Sequence, residues 1–231
     1  MSISVSQPAA DSVLPLHTRE SELSPATQPT PKLFSLEDRT VVVTGAGRGL
    51  GITLATAVLE AGGDVVCLDI LSEPSKEEWA NIARIEKASN LSATYHNCNV
   101  TDEASVETTL AEAAKGAKAR GKPIRGLIHC AGIQQMIDAI DYPLDGFRRI
   151  LDVNVAGSFL LAKHTARILR EEGNTGSLVM IASMSGQIAN RVSLKISQRL
   201  SIGTDMYLGN PLFCLQYFES RCATNVPVIS N

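Results

Sequence analysis

From Phe34 onward, apolar residues fall into short β-branched runs that alternate with stretches of helical spacing. RTVVVTG, residues 39–45, is such a run ending in glycine and predicts a buried strand. In residues 51–63 Ile52, Ala55, Val58 and Leu59 recur on one helical face, and Gly62 and Gly63 stop the helix. DVVCLD (64–69) predicts a second strand, 77–88 a helix, and ATYHNCNV (93–100) a third strand. An amphipathic helix follows over 102–119, then a strand over 125–132, one long helix over 147–173 and a fifth strand over 176–183. Strands alternating with helices imply parallel βαβ units, hence an α/β fold with a Rossmann-like, doubly wound parallel sheet. The pattern breaks on both sides. Residues 1–33 are rich in Ser, Pro, Thr and Gln and predict a disordered tail, because too little apolar surface is available to offset ordering entropy. Residues 192–231 continue neither the strand–helix alternation nor its period and receive no assignment.

Composition changes this picture little. The 231 residues are 44% hydrophobic and 19% charged, enough for one domain with a sizeable core. A net charge of −3 gives no footprint for nucleic acid or an anionic membrane surface. No apolar run approaches the roughly 20 residues of a membrane span, and the N-terminus lacks a signal-peptide pattern. The five cysteines are odd in number and widely spaced, without a CxxC pair or metal-like spacing, so reduced thiols, no metal and a cytosolic setting are expected.

Candidate chemistry is concentrated in TGAGRGLG, Thr44 to Gly51, between the first strand and the first helix. Gly45, Gly49 and Gly51 permit a tight turn and a close approach to a pyrophosphate, and the helix N-terminus offers free N–H groups. Asp69, at the end of the second strand about 20 residues on, completes a dinucleotide fingerprint. The two cofactors divide here. Asp69 can accept from ribose hydroxyls and would repel a 2′-phosphate, whereas Arg48 could pair with one. Asp69 stands closer to the expected ribose, so NAD is expected over NADP.

With TG at 44–45, Gly49, Gly51, CNVTD (98–102), HCAG (129–132), NVAG (154–157) and IASMSG (181–186), residues 34–191 resemble the short-chain dehydrogenase/reductase family. The resemblance implies a single Rossmann-type domain that transfers hydride between NAD(P) and a small-molecule alcohol or ketone, commonly as a homo-oligomer. It implies that Thr44, Gly45, Arg48, Gly49, Leu50, Gly51 and Ile52 hold the phosphate side of the cofactor. Asn99 and Val100 would flank the adenine, with the Asn99 amide accepting from its amino group, and Ala131 and Gly132 would line the ribose. Asn154 matches the family's helix-kinking, relay-holding Asn, and Ser183 its catalytic Ser, with Ser185 the lesser candidate. His129 and Cys130 replace two Asn of the family pattern.

The family's chemistry also needs a Tyr about 13 residues after the Ser, and a Lys four residues later that lowers its pKa. Those positions hold Ile196 and Leu200. Lys195, Tyr207 and Tyr217 do not restore the pair, so the domain is expected to be truncated after its fifth strand and inactive as written. That leaves an exposed sheet edge and an uncovered face on the long helix. Val192-Ser193 can be encoded as an intron's first bases, so 192–231 is expected to be translated intron, with a frameshift the competing origin. A non-catalytic, dinucleotide-binding regulatory half-domain is the alternative function.

Overall fold

The computed structural model describes residues 32, 34–137 and 139–183. Its strands are β1 (Thr40–Thr44), β2 (Asp64–Asp69), β3 (Ala93–Asn97), β4 (Ile124–His129) and β5 (Ser177–Met180). All neighbours run parallel, in the order β3-β2-β1-β4-β5. The helices are α1 (Gly49–Glu60), α2 (Lys76–Ala88), α3 (Glu103–Ala119), α4 (Leu144–Leu151) and α5 (Ser158–Glu171), the last two joined by a π-helical segment over Asp152–Gly157. This is the doubly wound α/β arrangement that the strand–helix alternation predicts.

Both faces of the sheet's centre are covered, which is why β1 and β2 read as nearly unbroken apolar runs. On one face Val42, Leu68 and Leu127 pack with Val106 and Leu110 of α3 and Leu161 and Leu169 of α5. On the other Val41, Val43, Val65 and Cys67 pack with Ile52, Ala55 and Leu59 of α1 and Ile82 of α2. The alternation within β1 sends neighbouring valines to opposite layers. Charged side chains tie α3 to α5: Glu103 accepts from Lys163 at 2.6 Å and Glu107 from Arg167 at 2.8 Å.

Four boundaries differ from the sequence pattern. The fourth strand, expected over 125–132, covers Ile124–His129. The third strand stops at Asn97, because the chain turns at Cys98, whose N–H donates to Asp69 O at 2.7 Å. The fifth stops at Met180, although Ile181 N–H still donates to His129 O at 3.0 Å. The single long helix expected over 147–173 begins at Leu144 and is divided by the π-helical turn. That turn is fixed from outside the helix. Gly157 lies so close to Val100 that an added Cβ would stand 2.9 Å from its Cγ2, and the Asn154 side chain is bonded to the Ile133 backbone.

β5 is an edge of the described sheet, with Val179 and Ile181 39% and 37% exposed, and Phe159 on α5 is 61% exposed. The tail expected over 1–33, apart from Lys32, lies outside the described residues, as do Ser185, Gly186 and the whole of 192–231 with Lys195, Ile196, Leu200, Tyr207 and Tyr217. Among the described residues no helix is long and apolar enough to cross a membrane, and no group of three or more His, Cys, Asp or Glu could hold a metal ion.

Candidate functional site

The strands end in one direction, and the loops that follow β1, β2, β3 and β4 enclose a cleft of about 520 Å³ at that edge. Gly45, Arg48, Leu50, Gly51, Asp69, Asn99, Val100, Ala131 and Gly132 line it, together with Arg149, Asp152 and Val153. Nine of the residues singled out by sequence therefore meet in one place.

The glycine loop is shaped by close backbone contacts. Gly45 has φ +65°, and a Cβ there would meet the backbone of Ala131 and Cys130 at 2.8–2.9 Å. A Cβ on Gly51 would stand 2.1 Å from Gly45 O. Gly45 thus presses the loop against the end of β4, and Gly51 lets α1 close tightly on the loop's own backbone. α1 then begins at Gly49 behind an extended Arg48, with no side-chain cap and no acidic residue in its first turn. By contrast, Ser75 caps α2 and Asp102 caps α3. Gly49 N–H is taken by Glu78 Oε1 at 3.0 Å, and the amides of Leu50 and Gly51, which line the cleft, are those an anion could use.

Asp69 follows β1's neighbour into the cleft. Its Oδ2 accepts from Gly47 N–H at 2.8 Å and its Oδ1 from Leu71 N–H at 3.0 Å. These bonds fix the carboxylate and leave lone pairs for hydroxyl donors. Arg48 lines the same cleft and forms no ion pair among the described residues.

Of the sequence-derived candidates that do not line the cleft, Thr44, Ile52 and Asn154 are buried behind its wall, and Gly49 is exposed beside it. Thr44 Oγ1 accepts from Ala131 N–H at 3.2 Å and is bonded to His129 Nδ1 at 2.7 Å, joining the glycine loop's first residue to the opposite lip. Ile52 is 2% exposed, in the core beneath α1. Gly49 N–H donates to Glu78 Oε1 at 3.0 Å. Asn154, 8% exposed, accepts from Ile133 N–H at 2.8 Å and donates to Ile133 O at 2.9 Å, which holds the 131–133 lip in place. Its own carbonyl accepts from Ser158 Oγ at 2.7 Å. Ser183 stands three residues past β5, half-buried, just beyond the last pairing with His129.

Asn99 differs from its expected contact. Its Oδ1 already accepts from Thr101 N–H at 3.1 Å and Thr101 Oγ1 at 2.9 Å, so the amide nitrogen is the group left for a ligand. His129 is 3% exposed, and its Nε2 is buried without a partner among the described residues. Burial pulls its pKa down to about 4, so the ring is neutral near pH 7. Burial likewise pushes the Cys130 thiol up to about 11, which keeps it protonated and poorly nucleophilic.

The sequence reading missed Glu78, Arg149 and Asp152. Ser75 and Glu78 have the S-x-x-E spacing of a capping box, a signal that reads as purely local to α2. Arg149 precedes and Asp152 opens the π-helical turn, whose phase is invisible in the apolar pattern.

A cleft at the carboxyl ends of parallel strands, with a glycine loop leading into a helix N-terminus, defines a Rossmann-type nucleotide fold. Residues 39–194 match the model of the short chain dehydrogenase family, and the chain belongs to that family. It is 42% identical over 160 residues to the short chain dehydrogenase/reductase notP′ of Aspergillus versicolor, covering 69% of this chain and 54% of the relative. A short-chain dehydrogenase/reductase structure from Mycobacterium marinum superposes with a TM-score of 0.64 at 32% identity, over 71% of this chain and 63% of that one. A NAD+-bound xylitol dehydrogenase superposes at 0.60 and 28% identity, over 68% and 58%. The chain thus spans about half to two thirds of the length of these proteins. NADH-dependent and NADPH-dependent reductases both occur among the similar proteins.

Proposed function

We propose that the cleft binds NAD, and that it serves an alcohol–ketone oxidoreductase acting on a small polar substrate of the polyol or keto-sugar kind. One observation carries this reading: the first turn of α1, at Leu50 and Gly51, and the fixed Asp69 carboxylate line the same cleft, as a pyrophosphate and an adenosine ribose require. The pyrophosphate would lie over Leu50 and Gly51, the ribose hydroxyls against Asp69, and the adenine beside Val100, donated to by Asn99 Nδ2. Ala131 and Gly132 would support the second ribose. When bound, the nicotinamide supplies or takes the hydride. The polyol preference rests on the likeness to xylitol dehydrogenase.

Ser183 is the hydroxyl that would orient the substrate oxygen, and Asn154 the residue that would position the cleft's far lip and the proton path. Proton transfer needs a phenol of lowered pKa, and positions 196 and 200 carry Ile and Leu. The chain as written therefore binds cofactor without turnover, in the manner of a dinucleotide-binding half-domain. Calorimetric titration of the full chain with NAD+, followed by a polyol-dependent absorbance assay, tests both halves of this reading. Saturable binding is expected, weakened at least tenfold in Asp69→Ala, with no NADH formed. A chain that continues after Arg191 into a Tyr-x-x-x-Lys segment should form NADH. Failure to bind NAD+ would overturn the reading, and turnover by the chain as written would overturn its inactive half.

A further inference from the structure

We propose that Glu78 is a second carboxylate setting the cofactor choice of this cleft, disfavouring a dinucleotide that carries a 2′-phosphate; the inference rests on the dinucleotide reading above. The loop Gly47–Arg48–Gly49 is held from two sides. Gly47 N–H donates to Asp69 Oδ2 at 2.8 Å, and Gly49 N–H donates to Glu78 Oε1 at 3.0 Å. Arg48, the cation a 2′-phosphate would need, is the loop residue between these two anchored amides and forms no ion pair among the described residues. The trio carries one positive and two negative charges, so a further dianion enters an already negative setting.

The placement of Glu78 is built into the fold. In a capping box the acidic side chain at this position turns back to the N–H of the capping serine. Here Ser75 N–H is instead given to Gly47 O at 2.8 Å, while Ser75 Oγ accepts from Glu78 N–H at 3.5 Å. Glu78 is thereby released from its local partner and aimed across at Gly49. The first turn of α2 and the glycine loop interlock through two backbone groups of the loop, Gly47 O and Gly49 N–H. A negative charge in the first turn of α2 is also favoured by that helix's dipole.

Charge and scaffold roles separate in two variants. Glu78→Gln keeps an oxygen that can accept from Gly49 N–H and removes the charge, whereas Glu78→Ala removes both. The full chain and each variant are titrated with NAD+ and with NADP+ at low and at physiological ionic strength. Glu78→Gln should bind NADP+ about three- to tenfold more tightly, with NAD+ affinity within twofold of the parent and the NADP+ gain shrinking as salt rises. An unchanged NAD+/NADP+ ratio in Glu78→Gln overturns the proposal while leaving NAD+ binding intact. Equal weakening of both cofactors in Glu78→Gln also overturns it and makes Glu78 a clamp. A parent chain that binds neither dinucleotide removes the dinucleotide reading and this proposal together.

Discussion

His129 sits at the end of β4, where its neutral ring bridges to Thr44 and cannot take up a proton without charging a buried site. Its folded pKa of about 4 lies below the ordinary value near 6.5. Between those values the unfolded chain binds a proton that the folded chain does not. Stability should therefore fall as pH drops from about 6.5 to about 4, by roughly 3 kcal/mol from this residue. Urea unfolding across that range should show the slope, and His129→Asn, which cannot titrate, should flatten it; parallel pH curves for the two proteins would refute the assignment. The glycines make a sharper contrast. Gly49 has φ +60° but open space around its Cβ position, so Gly49→Ala should cost about 1 kcal/mol for the left-handed backbone alone. Gly45 combines φ +65° with backbone atoms at 2.8–2.9 Å, so Gly45→Ala should cost about 3 kcal/mol or more, since neither the loop nor Ala131 can yield. Equal unfolding midpoints for the two variants would contradict this.

Among the elements, the two central strands β1 and β2 were the most legible because they are buried on both faces: RTVVVTG and DVVCLD could be core strands and little else. The glycine loop was legible for the same reason, since its spacing follows a fixed strand–turn–helix context and Asp69 follows at a set distance. The π-helical turn was not legible in the periodicity, although the match of Asn154 to the family's helix-kinking Asn pointed to a break there. DVNVAG keeps an apolar phase compatible with continuous helix, and what widens it is the bond from Asn154 to Ile133, a contact between residues 21 positions apart. Glu78 was hidden in a different way, because its pattern names a local partner that the fold replaces with a distant one. These cases share a cause: periodicity reports which face is buried, and says nothing about which single polar atom crosses between elements. The Asn154 anchor can be tested directly. Asn154→Ala leaves Ile133 N–H and O without their partner and should cost about 2 kcal/mol. Because Ile133 lines the cleft, NAD+ affinity should fall with it; unchanged affinity would mean the lip is held by other contacts.

At the scale of the whole molecule the parallel sheet has two unlike ends. Every candidate ligand contact gathers where the strands finish, and the opposite edge carries a charge cluster with no candidate role in binding. Asp64 opens β2 there, its side chain 4% exposed, accepting from Arg120 Nε at 2.6 Å, Lys122 Nζ at 3.0 Å and Ser92 N–H at 3.1 Å. Burial works to raise the carboxyl's pKa, but the bonds to Arg120, Lys122 and Ser92 together outweigh it and hold the group below its ordinary value. Its contribution is thus present above the ordinary carboxylate pKa of about 4 and disappears as pH falls through the lower folded value. That window lies beneath the one set by His129, so acid unfolding should proceed in two stages governed by opposite ends of the sheet. Asp64→Asn removes the charge that binds the ends of α3 and β4 to the start of β2, and should cost about 2 kcal/mol near pH 7. The loss should shrink below pH 4, where the parent carboxylate is itself being protonated. Since no cleft residue touches this cluster, NAD+ affinity measured well below the unfolding midpoint should stay within twofold of the parent. A variant with full stability at pH 7, or one with impaired NAD+ binding while folded, would show that the two ends are not independent, and the division of the sheet into a ligand end and a stabilising end would fail.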